Sequence, residues 1–157
     1  MKFIDDTFNM KEIEKVIKTL KDNNVKVRIG IVGESQRNEE ETGDAPTNAT
    51  IGLWAEMGTE NSPARSWLRM PLAEKLFDNL KNSGFFNDKT FRKVVKERSF
   101  VKFGKKMGVV AEETIQQAFD TDGFGKWPKS DMSNKKVQQT LVETQQLRRA
   151  VTSEVKS

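Results

Sequence analysis

The sequence predicts an α+β fold: a small, mostly antiparallel sheet packed against one long helix, with extended loops. Three observations carry that expectation. Val25, Val27, Ile29 and Ile31 alternate with Lys26, Arg28 and Gly30, the period of two that puts one strand face on a core. Met107, Val110, Ala111, Thr114, Ile115, Ala118 and Phe119 fall on a single helical stripe, the longest in the chain. Near the end, Val151 and Val155 have the spacing of a strand face, so the tail is expected to return to the sheet, with one or two hairpin strands as further members.

The remaining elements follow in order. Ile13, Val16, Ile17 and Leu20 predict an amphipathic helix over 10–22, ended by Asn23-Asn24. After the strand at 25–32, residues 34–48 contain no large apolar side chain and are expected to form a mobile loop. Its acidic run Glu39-Glu40-Glu41 with Asp44 lacks the ordered alternation of a calcium loop, so it reads as a solvated tip. Thr50 to Met57 predicts a short helix packing Ile51, Leu53, Trp54 and Met57 inward, broken by Gly58.

Pro71 suits the first turn of the next helix, a short one with Ala73, Leu76, Phe77 and Leu80 as its apolar stripe and Asn82-Ser83-Gly84 as its stop. From Asp88 to Arg98, Lys89, Arg92, Lys93, Lys96 and Arg98 surround Phe91, Val94 and Val95, which predicts a basic helix with a narrow apolar seam. The core helix is expected at about 101–119. Residues 121–140 are read as a docking loop, within which Phe124 and Trp127 need a cover. At 141–155 a helical turn is expected before the last strand.

The chain, 157 residues, has the size of one domain, and residues 1–157 are taken as such. Its mean hydropathy of -0.69 and 32% charged residues predict a polar protein with arms or loops outside its core. No apolar run approaches the roughly 18 residues of a membrane span, and the first residues lack the pattern of a signal peptide, so work in a cytoplasm and no membrane partner are expected. Cysteine and histidine are both absent, which removes disulfides, thiolate sites, Cys-His and Ser-His pairs and the commonest neutral-pH base. These absences weigh against an enzyme, and no metal or cofactor is expected. Glu112 and Glu113 are adjacent on a helix and point different ways, unlike a paired-carboxylate hydrolase.

Gly30-Ile31-Val32-Gly33 lacks the third glycine and helix start of a nucleotide loop, and the proline after Trp127 keeps Gly123-Phe124-Gly125-Lys126 from opening a helix over a ligand. The net charge of +4 permits nucleic-acid binding without requiring it. The best candidate for that role is the basic helix and its continuation, with Lys93, Lys96, Lys105 and Lys106 on phosphates and Phe100 and Phe103 interleaved, set against a solvated or protein-facing surface.

Most informative are two tryptophan-bearing stretches. Trp54-Ala55-Glu56-Met57-Gly58-Thr59 runs toward Pro63-Ala64-Arg65-Ser66-Trp67-Leu68-Arg69-Met70-Pro71, and Gly123-Phe124-Gly125-Lys126-Trp127-Pro128 follows about sixty residues later. Large apolar groups beside glycine, proline and arginine suit shaped loops that dock on a neighbour, so Trp54, Arg65, Trp67, Arg69, Phe124 and Trp127 are the candidate interface residues. Arg65 and Arg69 either fork onto carboxylates of an adjoining subunit or pair internally with Glu56 or Glu60.

With the closing stretch from Leu141 to Val151, these motifs resemble the tail-completion, or head-tail joining, proteins of tailed bacteriophages. Over roughly residues 25–155 they keep the family's order: a strand, a stretch like Ala-x-x-x-Glu-x-Gly-Thr, a Pro-Ala-Arg-Pro-Phe-Leu-Arg-Pro motif entering a helix, a long helix, a Trp-Pro loop and a Leu-Val-Asp-Thr-Gly-x-Leu-Arg-x-Ser ending. Ser66 replaces a usual proline, Gln145 stands where glycine is common and Ala150 replaces serine. The resemblance implies a virion structural protein, assembled in the host cytoplasm, that forms a homo-oligomeric, six-fold ring at the top of the tail tube. Its implied neighbours are the head-tail connector and the tail-tube or terminator proteins, with DNA passing nearby. A tail terminator and a small basic nucleic-acid-binding module are the alternative readings.

Overall fold

The computed structural model describes residues 14, 18, 25–32, 46–97, 100–129 and 145–156. The helix expected at 10–22 lies outside the described residues apart from positions 14 and 18, both helical, as do most of the 34–48 loop and residues 130–140 of the docking loop.

The fold is α+β. Strand β1 (Lys26–Ile31) pairs antiparallel with β2 (Val151–Lys156), from Lys26 opposite Lys156 to Ile31 opposite Val151. No further hairpin strand joins them among the described residues; Thr59 and Ser62 form an isolated bridge. Two strands alone are marginal in water, so the ribbon depends on what covers it.

The cover is a twenty-residue helix, Val101–Asp120. Its buried face is the expected stripe of Val110, Ala111, Thr114, Ile115, Ala118 and Phe119, extended toward the N-terminus by Gly104 and Gly108. The two glycines are there for close approach. A Cβ on Gly104 would lie 2.9 Å from Val25 Cγ1, and one on Gly108 would lie 2.8 Å from Ser153 Cβ, so the helix backbone rests directly on both strands.

Helix α1 (Asn48–Met57) starts where Thr47 accepts from the Thr50 amide through Oγ1 at 3.2 Å, which places Asn48 inside the helix and not in the preceding loop. Its orientation reverses the expectation. Asn48, Gly52 and Glu56, spaced by four, are buried, whereas Leu53, Trp54 and Met57 are exposed and Ile51 is half-buried. The reason is steric: Trp67 and Ile31 fill the space under α1, where a Cβ on Gly52 would come within 3.0 Å of each.

Helix α2 (Arg69–Asn82) begins two residues before Pro71, which still lies in the first turn where its missing N–H costs nothing. At fourteen residues it is longer than expected, and only part of its predicted stripe is inside: Leu80 is buried and Leu76 half-buried, but Ala73 and Phe77 face out. Helix α3 (Asp88–Glu97) opens with the Asn87 Oδ1 accepting from the Thr90 amide at 2.7 Å. Val94 is buried, as expected of the seam, while Phe91 is exposed.

The long helix, α4, divides the interior in two. Trp67, Ile115, Ala118, Phe119, Trp127, Leu147 and Val151 form one cluster; Leu80, Phe85 and Val110 form the other, with Phe103 stacked 4.0 Å from Phe85. Thr114, fully buried between α4 and α2, donates to the Val110 carbonyl at 2.7 Å and accepts from Asn79 Nδ2 at 2.9 Å, so its hydroxyl carries no desolvation debt.

After α4 the chain turns tightly through Asp122, Gly123, Phe124 and Gly125, all with positive φ, and drops Trp127 into the first cluster. A single helical turn, α5 (Gln146–Arg149), then buries Leu147 and leads into β2. Gln145 enters that turn with φ +52, a left-handed conformation that an L side chain adopts at a cost of about 1–2 kcal/mol. Gln145→Gly is therefore expected to raise stability by up to about 1 kcal/mol, once glycine's greater unfolded-state entropy is subtracted. Denaturant unfolding of the two proteins measures the difference.

Candidate assembly surface

The two halves of the first tryptophan-bearing stretch form one clasp. Glu56, on the buried side of α1, reaches the N-terminus of α2. Its carboxylate accepts from the Leu68 amide (3.0 Å), the Arg69 amide (3.3 Å), Ser66 Oγ (2.8 Å) and Arg69 Nε (2.7 Å). Ser66 Oγ also accepts from the Met70 amide at 2.9 Å. Leu68, the residue before α2, offers no side-chain cap of its own, so Glu56 caps the helix from a neighbouring one and places a negative charge on its positive end. Gly58 makes the connection possible. It has φ +78, and a Cβ there would lie 2.8 Å from the Ala64 amide nitrogen, so the turn from α1 back to residue 64 admits no side chain.

Burial works to raise the pKa of Glu56, but the hydrogen bonds from Arg69, Leu68 and Ser66 outweigh it and hold the carboxyl below its ordinary range. A folded-state pKa below the unfolded one contributes stability above the unfolded value, and that contribution is lost as pH falls through the folded one. The wild-type unfolding midpoint is therefore expected to drop on acidification below the ordinary glutamate range, and Glu56→Gln to flatten that acid limb. An unchanged limb in the variant removes Glu56 from the explanation.

The six predicted interface residues separate into two groups. Trp67 is 3% exposed and donates from Nε1 to the Gly52 carbonyl at 2.7 Å; Trp127 is 7% exposed, meets Phe119 edge-on at 5.6 Å and donates to the Ser66 carbonyl at 3.1 Å. Arg65, also buried, donates from Nε to the Pro128 carbonyl and from Nη1 to Ser62 Oγ, both at 3.1 Å. The expectation that these three side chains lie outside the interior is corrected: Arg65 and Trp127 tie the first stretch to the second from within, and Trp67 ties it to Gly52 of α1 and to Phe119 of α4. Both indole N–H groups find main-chain carbonyls, which removes the polar obstacle to burying them.

Trp54, Arg69 and Phe124 remain at the surface to different degrees. Arg69 takes the internal option, pairing with Glu56 while most of its side chain stays in solvent. Phe124 is half-buried against the first cluster, with Lys75 Nζ 5.6 Å from its ring centre. Trp54 is 48% exposed and stands with Leu53 and Met57, each 61% exposed, on the outer side of α1. The sequence reading missed Leu53 and Met57 as surface residues, although their spacing of four around Trp54 marks one helix face. Fully burying a side chain of this size is worth about 1.5–3 kcal/mol, so covering the exposed portions of all three is worth roughly 3–4 kcal/mol. Beside them, β1 and α1 enclose a groove of about 660 Å³ lined by Ile29, Ile31, Val32, Ala49, Leu53 and Leu68 among others.

Of the four candidate lysines, Lys93 and Lys106 come together at the junction of α3 and α4, where they line a pocket of about 210 Å³ with Val94, Phe103, Glu97 and Lys102. Lys96 and Lys105 are exposed and lie outside it. Phe103 stacks inward on Phe85 and is half-buried, so it is not a free platform for a base. Among the described residues no three His, Cys, Asp or Glu side chains gather as a metal site, and no helix is long and apolar enough to cross a membrane.

Fold and surface together define an α+β chain with a tightly clasped interior and an apolar helix face turned to solvent. Comparison with models of known families, with characterised proteins and with solved structures finds no match to this chain.

Proposed function

We propose that this protein is a structural component of a tailed-phage virion, a tail-completion or head-tail joining subunit that assembles with copies of itself into a ring. The observation that carries the reading is the outer face of α1, where Leu53, Trp54 and Met57 stand together in water although the chain has an interior to put them in. A cluster of large apolar side chains on one rigid helix suits a protein contact, with Trp54 as the anchor.

The motif pattern supports the phage reading in a second way. Its elements have definite physical work in this chain: Glu56 caps α2, Gly58 sits in a turn without room for a side chain, and Arg65 joins the two stretches. At position 145, where the family commonly has glycine, the backbone has φ +52, the conformation that glycine adopts freely. The ring is six-fold by the same resemblance, and its neighbours are the connector above and the tail-tube or terminator protein below.

Antibody against this chain is expected to label the neck of the particle whose genome encodes it, seen by negative-stain imaging. Particles that carry no label overturn the virion assignment. The second reading, a small nucleic-acid-binding module, rests on Lys93 and Lys106 sharing one pocket. It requires duplex binding that weakens steeply with salt and is lost when both are neutralised.

A further inference from the structure

We infer that the crevice between α3 and α4 is a docking site for an acidic segment of another protein, one that carries an apolar residue among its carboxylates. The site stands apart from the outer face of α1, so it goes beyond the self-assembly proposed above and does not depend on it.

Charge is concentrated in this part of the chain. Residues 88–106 hold eight lysines and arginines against two acids, a net +6, which exceeds the +4 of the whole protein. Little of that charge is answered from within. Lys102 pairs with Glu97 at 2.9 Å, whereas Lys89, Arg92, Lys93, Lys96, Lys105 and Lys106 form no salt bridge among the described residues. Like charges gathered on two adjoining helices repel one another, and a partner of opposite sign relieves them. The first turn of α4 adds to the same sign: it contains no acidic residue, and no side chain caps it.

The crevice gives this charge a shape. Thr90, Lys93, Val94 and Glu97 recur at the spacing of one helix face on α3, and Lys102, Phe103 and Lys106 form the opposite wall from α4. Val94 is buried and Phe103 half-buried, so the floor is apolar. Lys93 is exposed and Lys106 half-buried, so the rim carries two ammonium groups without a paired carboxylate. An acidic peptide matches both features, with carboxylates on Lys93 and Lys106 and an apolar side chain on Val94 and Phe103. Nucleic acid matches the first alone. The volume of about 210 Å³ falls below the roughly 300 Å³ at which sites for drug-sized ligands begin, which is room for a side chain and not for a nucleotide. Phe103, the aromatic ring of the crevice, is already stacked on Phe85 with ring centres 4.0 Å apart, so it offers no platform to a base.

The test follows fluorescence anisotropy of labelled peptides that repeat Glu-Glu-Leu, Gln-Gln-Leu or Glu-Glu-Ser, titrated with the full chain at low and high salt. The Glu-Glu-Leu peptide is expected to bind, to weaken as salt rises, and to bind at least about ten-fold better than either control. Lys93→Gln with Lys106→Gln is expected to weaken it at least about ten-fold. Lys96→Gln with Lys105→Gln, the same change of charge outside the crevice, is expected to weaken it by less than about three-fold. Three of these lysines are exposed and Lys106 is half-buried, so folding is expected to survive and is checked by circular dichroism. A wild-type chain that ignores the Glu-Glu-Leu peptide at low salt overturns the inference. Equal losses in the two double variants reduce the effect to diffuse charge, and a Glu-Glu-Ser peptide that binds as well as its leucine counterpart removes the apolar floor; either result overturns it too. Duplex DNA that displaces the peptide, and whose binding the Lys93 and Lys106 changes abolish, gives the crevice to nucleic acid instead. Self-association of the chain alone that the same two changes abolish gives it to a second copy. None of the peptide results bears on assembly through α1, so the two readings fail separately.

Discussion

Trp67→Ala is expected to cost the folded protein about 3–5 kcal/mol, a large part of the stability of a domain this size. The ring is 3% exposed, lies 6.1 Å from Phe119 and is held by the hydrogen bond from its Nε1 to the Gly52 carbonyl. Truncation leaves a cavity at the meeting point of α1, β1 and α4 and removes the indole hydrogen bond to the Gly52 carbonyl. Trp54→Ala, only thirteen positions away and of identical chemistry, is expected to change stability by less than about 0.5 kcal/mol because the side chain is half in solvent. Equilibrium unfolding of the two variants separates a core tryptophan from a surface one; equal losses would contradict the inward and outward assignment of this stretch.

Gly108→Val carries the second large effect. A Cβ at this position would lie 2.4 Å from Ser153 Oγ and 2.8 Å from Ser153 Cβ, and the second of these atoms is fixed to the β2 backbone. Rotation of the serine relieves the first contact but not the second, so α4 must lift from the two-stranded ribbon it covers. The expected cost is about 3 kcal/mol, at the upper end of overpacking, and exceeds the small penalty of a β-branched residue in a helix. Gly108→Ala partly offsets its own strain with a helix-propensity gain of about 1 kcal/mol, so its loss is expected to be smaller. A valine variant as stable as wild type would mean that α4 and the ribbon are not held at this separation.

How much of this was legible in the sequence depended on which side chains carried the signal. The alternation from Val25 to Ile31, the stripe from Val110 to Phe119 and the valines of the last strand were readable because large apolar groups mark the buried side of each element. Gly104 and Gly108 continue the α4 stripe toward the N-terminus, but a pattern search weighted toward bulk passes over small residues, although it is their smallness that seats the helix.

Helix α1 was misread for the same reason. Its interior positions are asparagine, glycine and glutamate, since the room beneath is already filled by Trp67, and the residues that look like a core are the ones left outside. Trp67, Trp127 and Arg65 were placed at the surface because they stand among prolines and glycines. Only the three-dimensional structure shows main-chain carbonyls waiting for both indoles and for the guanidinium. Glu56 stood in the quoted motif, yet its role as cap of α2 depends on a contact across twelve residues that no local pattern contains.

On the function proposed above, copies of the chain join through the outer face of α1. Sedimentation velocity across a range of concentrations, with wild type beside Leu53→Ser combined with Trp54→Ser, tests it most directly. Wild type is expected to convert with concentration to one closed species of defined mass, while the variant remains a monomer that unfolds at the same denaturant concentration. A wild-type chain that stays monomeric throughout, or a variant that assembles as wild type does, would contradict it.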